Sequence, residues 1–145
     1  MIPSSVGEFT DLLNYLLTDI EQGLLGSIVD RVRAETFDDF LDHAESYYKD
    51  GRKNEAGVIA GVVFEDTIRK ICDKNKIPQK GLKLDELINS LAKVEIISQT
   101  KAKRARAAAH VRTKATHAQW DEFALEDVKA TIDFTRELIS QKLDS

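Results

Sequence analysis

Ala56-Gly57-Val58-Ile59-Ala60-Gly61-Val62-Val63-Phe64-Glu65-Asp66-Thr67-Ile68-Arg69-Lys70-Ile71-Cys72 poses the first question, helix or strand. Residues 57–64 are rich in β-branched side chains, as a buried strand would be. No turn signal flanks them, however, and the apolar set Ala56, Ile59, Ala60, Val63, Thr67, Ile68 and Ile71 continues at helical spacing. We therefore read one helix over about 52–76. The small residues Ala56, Gly57, Ala60 and Gly61 leave room for a second helix to come close. Ile77-Pro78 ends it, because a residue before proline is pushed out of helical geometry.

The neighbours on both sides carry the same period. Upstream, Phe37, Phe40, Leu41, Ala44, Tyr47 and Tyr48 mark a helix with Thr36 at its N-cap and Asp50-Gly51 at its end. Before it, Ser5 and Glu8 have capping-box spacing. Leu13, Leu16, Leu17, Ile20, Leu24 and Ile28 then predict a helix to about Arg33. Downstream, Leu84, Leu87, Ile88, Leu91 and Val94 mark another helix. Ser98 and Thr100 are candidate caps for the next, which runs to about His117. Residues 120–123 form a connector, and Leu125, Val128, Ile132, Ile139 and Leu143 define a last helix to the C-terminus. The expected fold is all-α, an antiparallel bundle of five to six helices. Residues 1–145 are read as one helical domain, a length that buries a core without disulfides or metals.

Composition narrows the function classes. Hydrophobic residues make up 42% and charged residues 32%, and no run of about 18 apolar residues suits a membrane-spanning helix. The start, Met1 to Ser5, lacks the basic and apolar regions of a signal peptide. Cys72 is the only cysteine and has no internal partner. A reducing cytoplasm is the expected location, without a membrane.

Charge is unevenly placed. Residues 1–50 hold 11 acids against 3 bases, a local net of −8. From Ile96 to Trp120 no acid occurs, while Lys101, Lys103, Arg104, Arg106, Arg112 and Lys114 supply six bases beside His110 and His117. On a helix, Lys103, Arg106, His110, Lys114 and His117 fall within roughly 40° of one direction. A solvated face normally mixes signs; clustered bases without acids suit phosphate. Histidine takes and gives protons near neutrality, and arginine holds a phosphate through paired hydrogen bonds. Because RNA carries its own nucleophile in the 2′-hydroxyl, one His and one Arg on adjacent turns make a minimal metal-free ribonuclease site. No metal-ligand set and no cofactor motif is apparent.

The chain resembles the HEPN superfamily, small all-α proteins of prokaryotic defence, toxin–antitoxin and nucleotide-handling systems. The similar part covers about 35–145, following an N-terminal helix within 1–34. It includes Glu65 to Arg69 with its Glu-x-x-apolar-Arg phrase, then Leu84-Asp85-Glu86-Leu87, then the Ala108-Ala109-His110 helix. The family hallmark is Arg, four to six residues, then His; Arg104 and His110 have five residues between them. The resemblance implies RNA cleavage by that Arg and His without a metal, usually across a homodimer interface, with a cognate antitoxin or partner protein. Many active members carry a polar residue straight after the Arg, where this chain has Ala105. Arg106 has only three residues between it and His110, outside the family range, but on a regular helix it points the way His110 points; both arginines stand as catalytic candidates, with Arg104 preferred as the phosphate clamp on the family spacing. Lys101, Lys103, Arg112, Lys114 and His117 are the candidate RNA-binding residues. The competing expectation is a non-catalytic helical module that binds a partner protein or a nucleotide. Of the remaining side chains, Glu65 is read as a solvent-edge residue or an ion-pair partner of Arg69, with orientation of a catalytic base as the alternative; Cys72 is read as a small core or edge residue, and Tyr47 and Tyr48 as packing residues, with base stacking or an interface as the alternative.

Overall fold

The computed structural model describes residues 37–143. Five α-helices follow one another there: α1 Phe37–Lys49, α2 Lys53–Lys74, α3 Leu84–Lys93, α4 Gln99–Thr116 and α5 Leu125–Leu138. A 3-10 turn, Trp120–Glu122, lies between α4 and α5, and a π-helical turn, Ile139–Leu143, extends α5. Among the described residues there is no strand. The helix expected within 1–34 lies outside them. The other helices begin and end within about two residues of the positions read from periodicity, the last one excepted, whose final turn widens to π geometry.

Why the strand-like run is helical follows from its surroundings. All eight residues from Gly57 to Phe64 are buried, and α2 packs against α1, α3, α4 and α5. A helix covered on nearly every side has no polar face to show, so its amphipathic signature fades and β-branched residues fill the space between neighbours. Close approach of α4 depends on Gly61. A Cβ there would lie 2.7 Å from Arg112 Cα, well inside contact distance. One turn earlier, Gly57 sits beside Ala115, so α2 and α4 run antiparallel.

The buried side chains form two groups, and both α2 and α4 run through both of them. The first gathers α1, the first half of α2, Val111 and Ala115 of α4, Phe123, and Val128 and Ile132 of α5. In the second, Phe64, Ile68, Ile71 and Cys72 meet α3, four alanines of α4, and Phe134 and Leu138 of α5. Phe64 and Phe134 pack with ring centroids 6.3 Å apart.

Helix ends show how loops of few residues turn the chain. The Ser98 hydroxyl accepts from the Lys101 amide at 3.1 Å, the N-cap role its position suggests. Asp127 Oδ2 accepts from the Ala124 amide at 2.9 Å, closing the start of α5. Gly51 adopts φ +74° and ends α1 in a Schellman arrangement, with Arg52 N donating to Tyr47 O at 2.8 Å. Three further ends use the same left-handed turn with no glycine: Lys76, Glu95 and Ala118. After two of them, Ile77 and Ile96 fold back onto the second buried group and donate to the carbonyls of Cys72 and Leu91. Burial of the following isoleucine offsets the strain of a left-handed side-chain-bearing residue, about 1–2 kcal/mol.

Candidate functional site

Helix α4 carries the acid-free basic segment. Alanine, lysine and arginine are strong helix formers, so the segment is helical on local grounds before any packing. Its inner side is nearly all alanine: Ala102, Ala105, Ala108, Ala109 and Ala115 are buried. Small inner residues bring the axis close to α2 and α3 and leave the long cationic side chains on the outside.

That outer strip is Lys103, Arg106, His110 and His117, all exposed, with half-buried Lys114 in line with them. Among the described residues, Lys103 and Lys114 make no side-chain hydrogen bond or ion pair. Arg106 Nη2 donates to Asn89 Oδ1 on α3 at 2.9 Å, a neutral partner that leaves the guanidinium charge uncompensated. His110 Nε2 lies 2.9 Å from the carbonyl oxygen of Glu122. A carbonyl only accepts, so Nε2 carries the proton and Nδ1 is the nitrogen left open. His117 is held the other way round: its Nδ1 donates to Thr113 O at 2.6 Å, leaving Nε2 open.

Three of the sequence candidates leave this strip. Arg104 turns toward α5, where Nη1 meets Glu137 Oε2 at 2.6 Å and the guanidinium stands 4.5 Å above the Phe134 ring. Lys101 donates to the Gln141 side chain beyond α5. Arg112 faces inward to α2, with Nε 2.5 Å from Glu65 Oε1, a charge contact off the N–H direction. The structure thus sets Arg106 and His110 one turn apart on one exposed strip, and Arg104 on the α5 flank.

Glu65 makes the ion pair with Arg69 at 3.0 Å that their spacing suggests, and Arg112 adds a second guanidinium to the same carboxylate. It lies on the far side of α4 from His110 and does not orient that imidazole. The groups that do bear on His110 were not visible in the sequence. The Glu122 carbonyl has no side-chain signature, and Lys53, which binds the same connector, is 57 residues away along the chain. Asn89 likewise meets Arg106 only through the packing of α3 on α4. Asp66, fully buried in the middle of α2, is the one buried carboxylate among the described residues.

Cys72 is also fully buried, and burial pushes its thiol up from an ordinary 9.0 to about 11. At neutral pH it is a protonated core side chain. Tyr47 is buried and Tyr48 half-buried in the first group, consistent with packing. Among the described residues, no three of His, Cys, Asp and Glu are grouped to hold a metal ion, and no helix is long and apolar enough to cross a membrane. Comparison of the chain with known protein families, characterised proteins and solved structures gives no significant match.

Proposed function

We propose that this chain is an RNA-binding protein of the HEPN type and a metal-independent endoribonuclease in a defence or toxin–antitoxin system. The observation that carries this reading is the outer strip of α4. There Lys103, Arg106, His110, Lys114 and His117 share one side, and no carboxylate among the described residues neutralises them. Phosphates supply the missing negative charge, and release of their counterions drives binding. His110 Nδ1 takes the 2′-hydroxyl proton. The freed oxygen attacks the adjacent phosphorus as the P–O5′ bond breaks, and water or a second imidazole returns a proton to the leaving oxygen. The products are a 2′,3′-cyclic phosphate and a 5′-hydroxyl end. A guanidinium stabilises the charge that grows on the phosphate oxygens. Arg106 is placed for this on the His110 strip, whereas Arg104 first has to leave Glu137. Two copies of the chain, α4 to α4, bring a second imidazole and a second set of cations to one RNA strand.

Purified protein is incubated with single-stranded and structured RNA in EDTA. Cleavage is expected, and His110→Ala is expected to lower it by about 10²- to 10⁴-fold, the usual share of general acid–base catalysis, with the fold and most RNA affinity kept. Light scattering at micromolar concentration should give about twice the 16.3 kDa chain mass. The commitment of Arg104 to Glu137 favours a second reading, a non-catalytic module that binds a partner protein or a nucleotide. Retained RNA binding with no cleavage of any RNA would decide for that module, and loss of both would end the RNA reading.

A further inference from the structure

Every backbone carbonyl that α2 and α4 donors reach between α4 and α5 belongs to one connector. Lys53 Nζ, in the first turn of α2, donates to Trp120 O and to Phe123 O, the latter at 2.9 Å. Between these two, Glu122 O receives the His110 ring at 2.9 Å. The same connector is gripped through its side chains. The ammonium of Lys53 stands 4.7 Å from the Phe123 ring centroid. One turn on, Gly57 leaves the space the ring fills, since a Cβ there would lie 2.8 Å from Phe123 Cε2. Trp120 packs edge-on against that ring, with centroids 6.4 Å apart.

An exposed imidazole on a helix ordinarily turns about its own bonds, and a carbonyl stops it only where the carbonyl is itself held. Glu122 is exposed and offers no buried anchor. Its own amide donates to Gln119 O at 3.1 Å, and the connector around it is held by the Lys53 ammonium at the Trp120 and Phe123 carbonyls together with the burial of the Phe123 ring. We propose that Lys53 is a positioning residue for His110: acting through the 120–123 connector, it holds the imidazole with Nε2 protonated, so that Nδ1 is the nitrogen presented to RNA. Lys53 itself touches no reacting atom. The assignment rests on the ribonuclease reading for its functional meaning, and on the connector geometry alone for its structural content.

The test is nitrogen-15 NMR of the full chain at a pH about two units above the ordinary imidazole value of about 6.5. In the native chain the His110 Nε2 proton should be protected from exchange with water and the ring should sit in one tautomer. His117, bonded through Nδ1, is the internal reference. In Lys53→Met the His110 proton should exchange about fivefold faster, the factor a typical net hydrogen bond supplies, and the ring should relax to a mixture of tautomers while His117 stays unchanged. Lys53→Arg, whose fork also reaches two carbonyls, should keep most of the protection. Gly57→Ala, which displaces Phe123 and leaves Lys53 intact, should loosen His110 too; unchanged His110 signals there would overturn the connector as the route from Lys53, even should Lys53→Met fail to fold. A structural clamp with no bearing on His110 would lower stability and leave the His110 signals as they were; that result overturns the proposal. If the protein cuts RNA, Lys53→Met should lower kcat and spare KM. If it does not, the NMR result stands by itself, so failure of the ribonuclease reading and failure of the Lys53 assignment are told apart.

Discussion

Helices α2 and α4 touch at Gly61 and Arg112 and run antiparallel, yet they are built for different tasks. Of the 22 residues of α2, 14 are buried; of the 18 of α4, 7 are, and five of those are alanine. Large side chains in α2 take up the space between four neighbouring helices and carry the packing energy. Alanines in α4 contribute little area apiece and serve mainly to seat a helix whose other side is cationic. The difference teaches where each kind of mutation should register. Changes in α2 should be read in stability, and changes on the outer strip of α4 in binding.

Phe64→Ala offers the largest test on the packing side. Phe64 is fully buried against Phe134, and removing such a ring typically costs about 3–5 kcal/mol. Chemical denaturation should show a loss of that size without a change in helix content at zero denaturant. A loss under about 1 kcal/mol would mean that α2 is not the centre of the packing.

A smaller effect is expected where the two helices meet. Gly61→Ala places a methyl against Arg112 Cα, which is backbone and does not swing away. Overpacking of this kind costs about 1–3 kcal/mol, more than the helix propensity gained by replacing glycine, roughly 1 kcal/mol. Thermal unfolding should therefore show a lowered midpoint. A raised midpoint would show that the crossing has slack.

At the other extreme stands the pair Lys103→Ala and Lys114→Ala. Neither side chain pairs with an acid among the described residues, so their joint removal should change stability by no more than about 0.5 kcal/mol. The same double variant should flatten the salt dependence of RNA binding, by about 0.7 log–log unit for each phosphate of a single strand that is no longer neutralised. Unchanged affinity and slope would make the strip a plain solvated face and remove the contrast with α2.

Much of the architecture was legible because helix formation is a local matter of period and caps. The run Leu84, Leu87, Ile88, Leu91 marks α3 unaided, and Ser98 caps α4 as its position suggests. The turns at Lys76, Glu95 and Ala118 were harder, since no glycine advertises them. Two depend on whether Ile77 and Ile96 have a core to return to, which is a property of the whole bundle. The basic strip was legible for the same reason as the helices: Lys103, Arg106, His110, Lys114 and His117 share a direction on any regular helix. The partners of the cations were not. Spacing pairs Arg69 with Glu65, but nothing local sends Arg112 to that same carboxylate or Arg104 to Glu137.

By itself, then, the sequence determined that the described chain is helical, roughly where each helix starts and stops, and that one helix carries cations without acids. Those properties arise from neighbours within a few residues, through hydrogen bonds to i−4, side-chain spacing and charge density. Only the tertiary structure decided which cations stay on the open strip and which are tied to carboxylates, and which nitrogen of His110 is open. It also decided that Lys53 and His110 share a connector. These are contacts between groups from 12 to 70 residues apart, and they exist only once packing of the buried faces has set the distance and angle between helices.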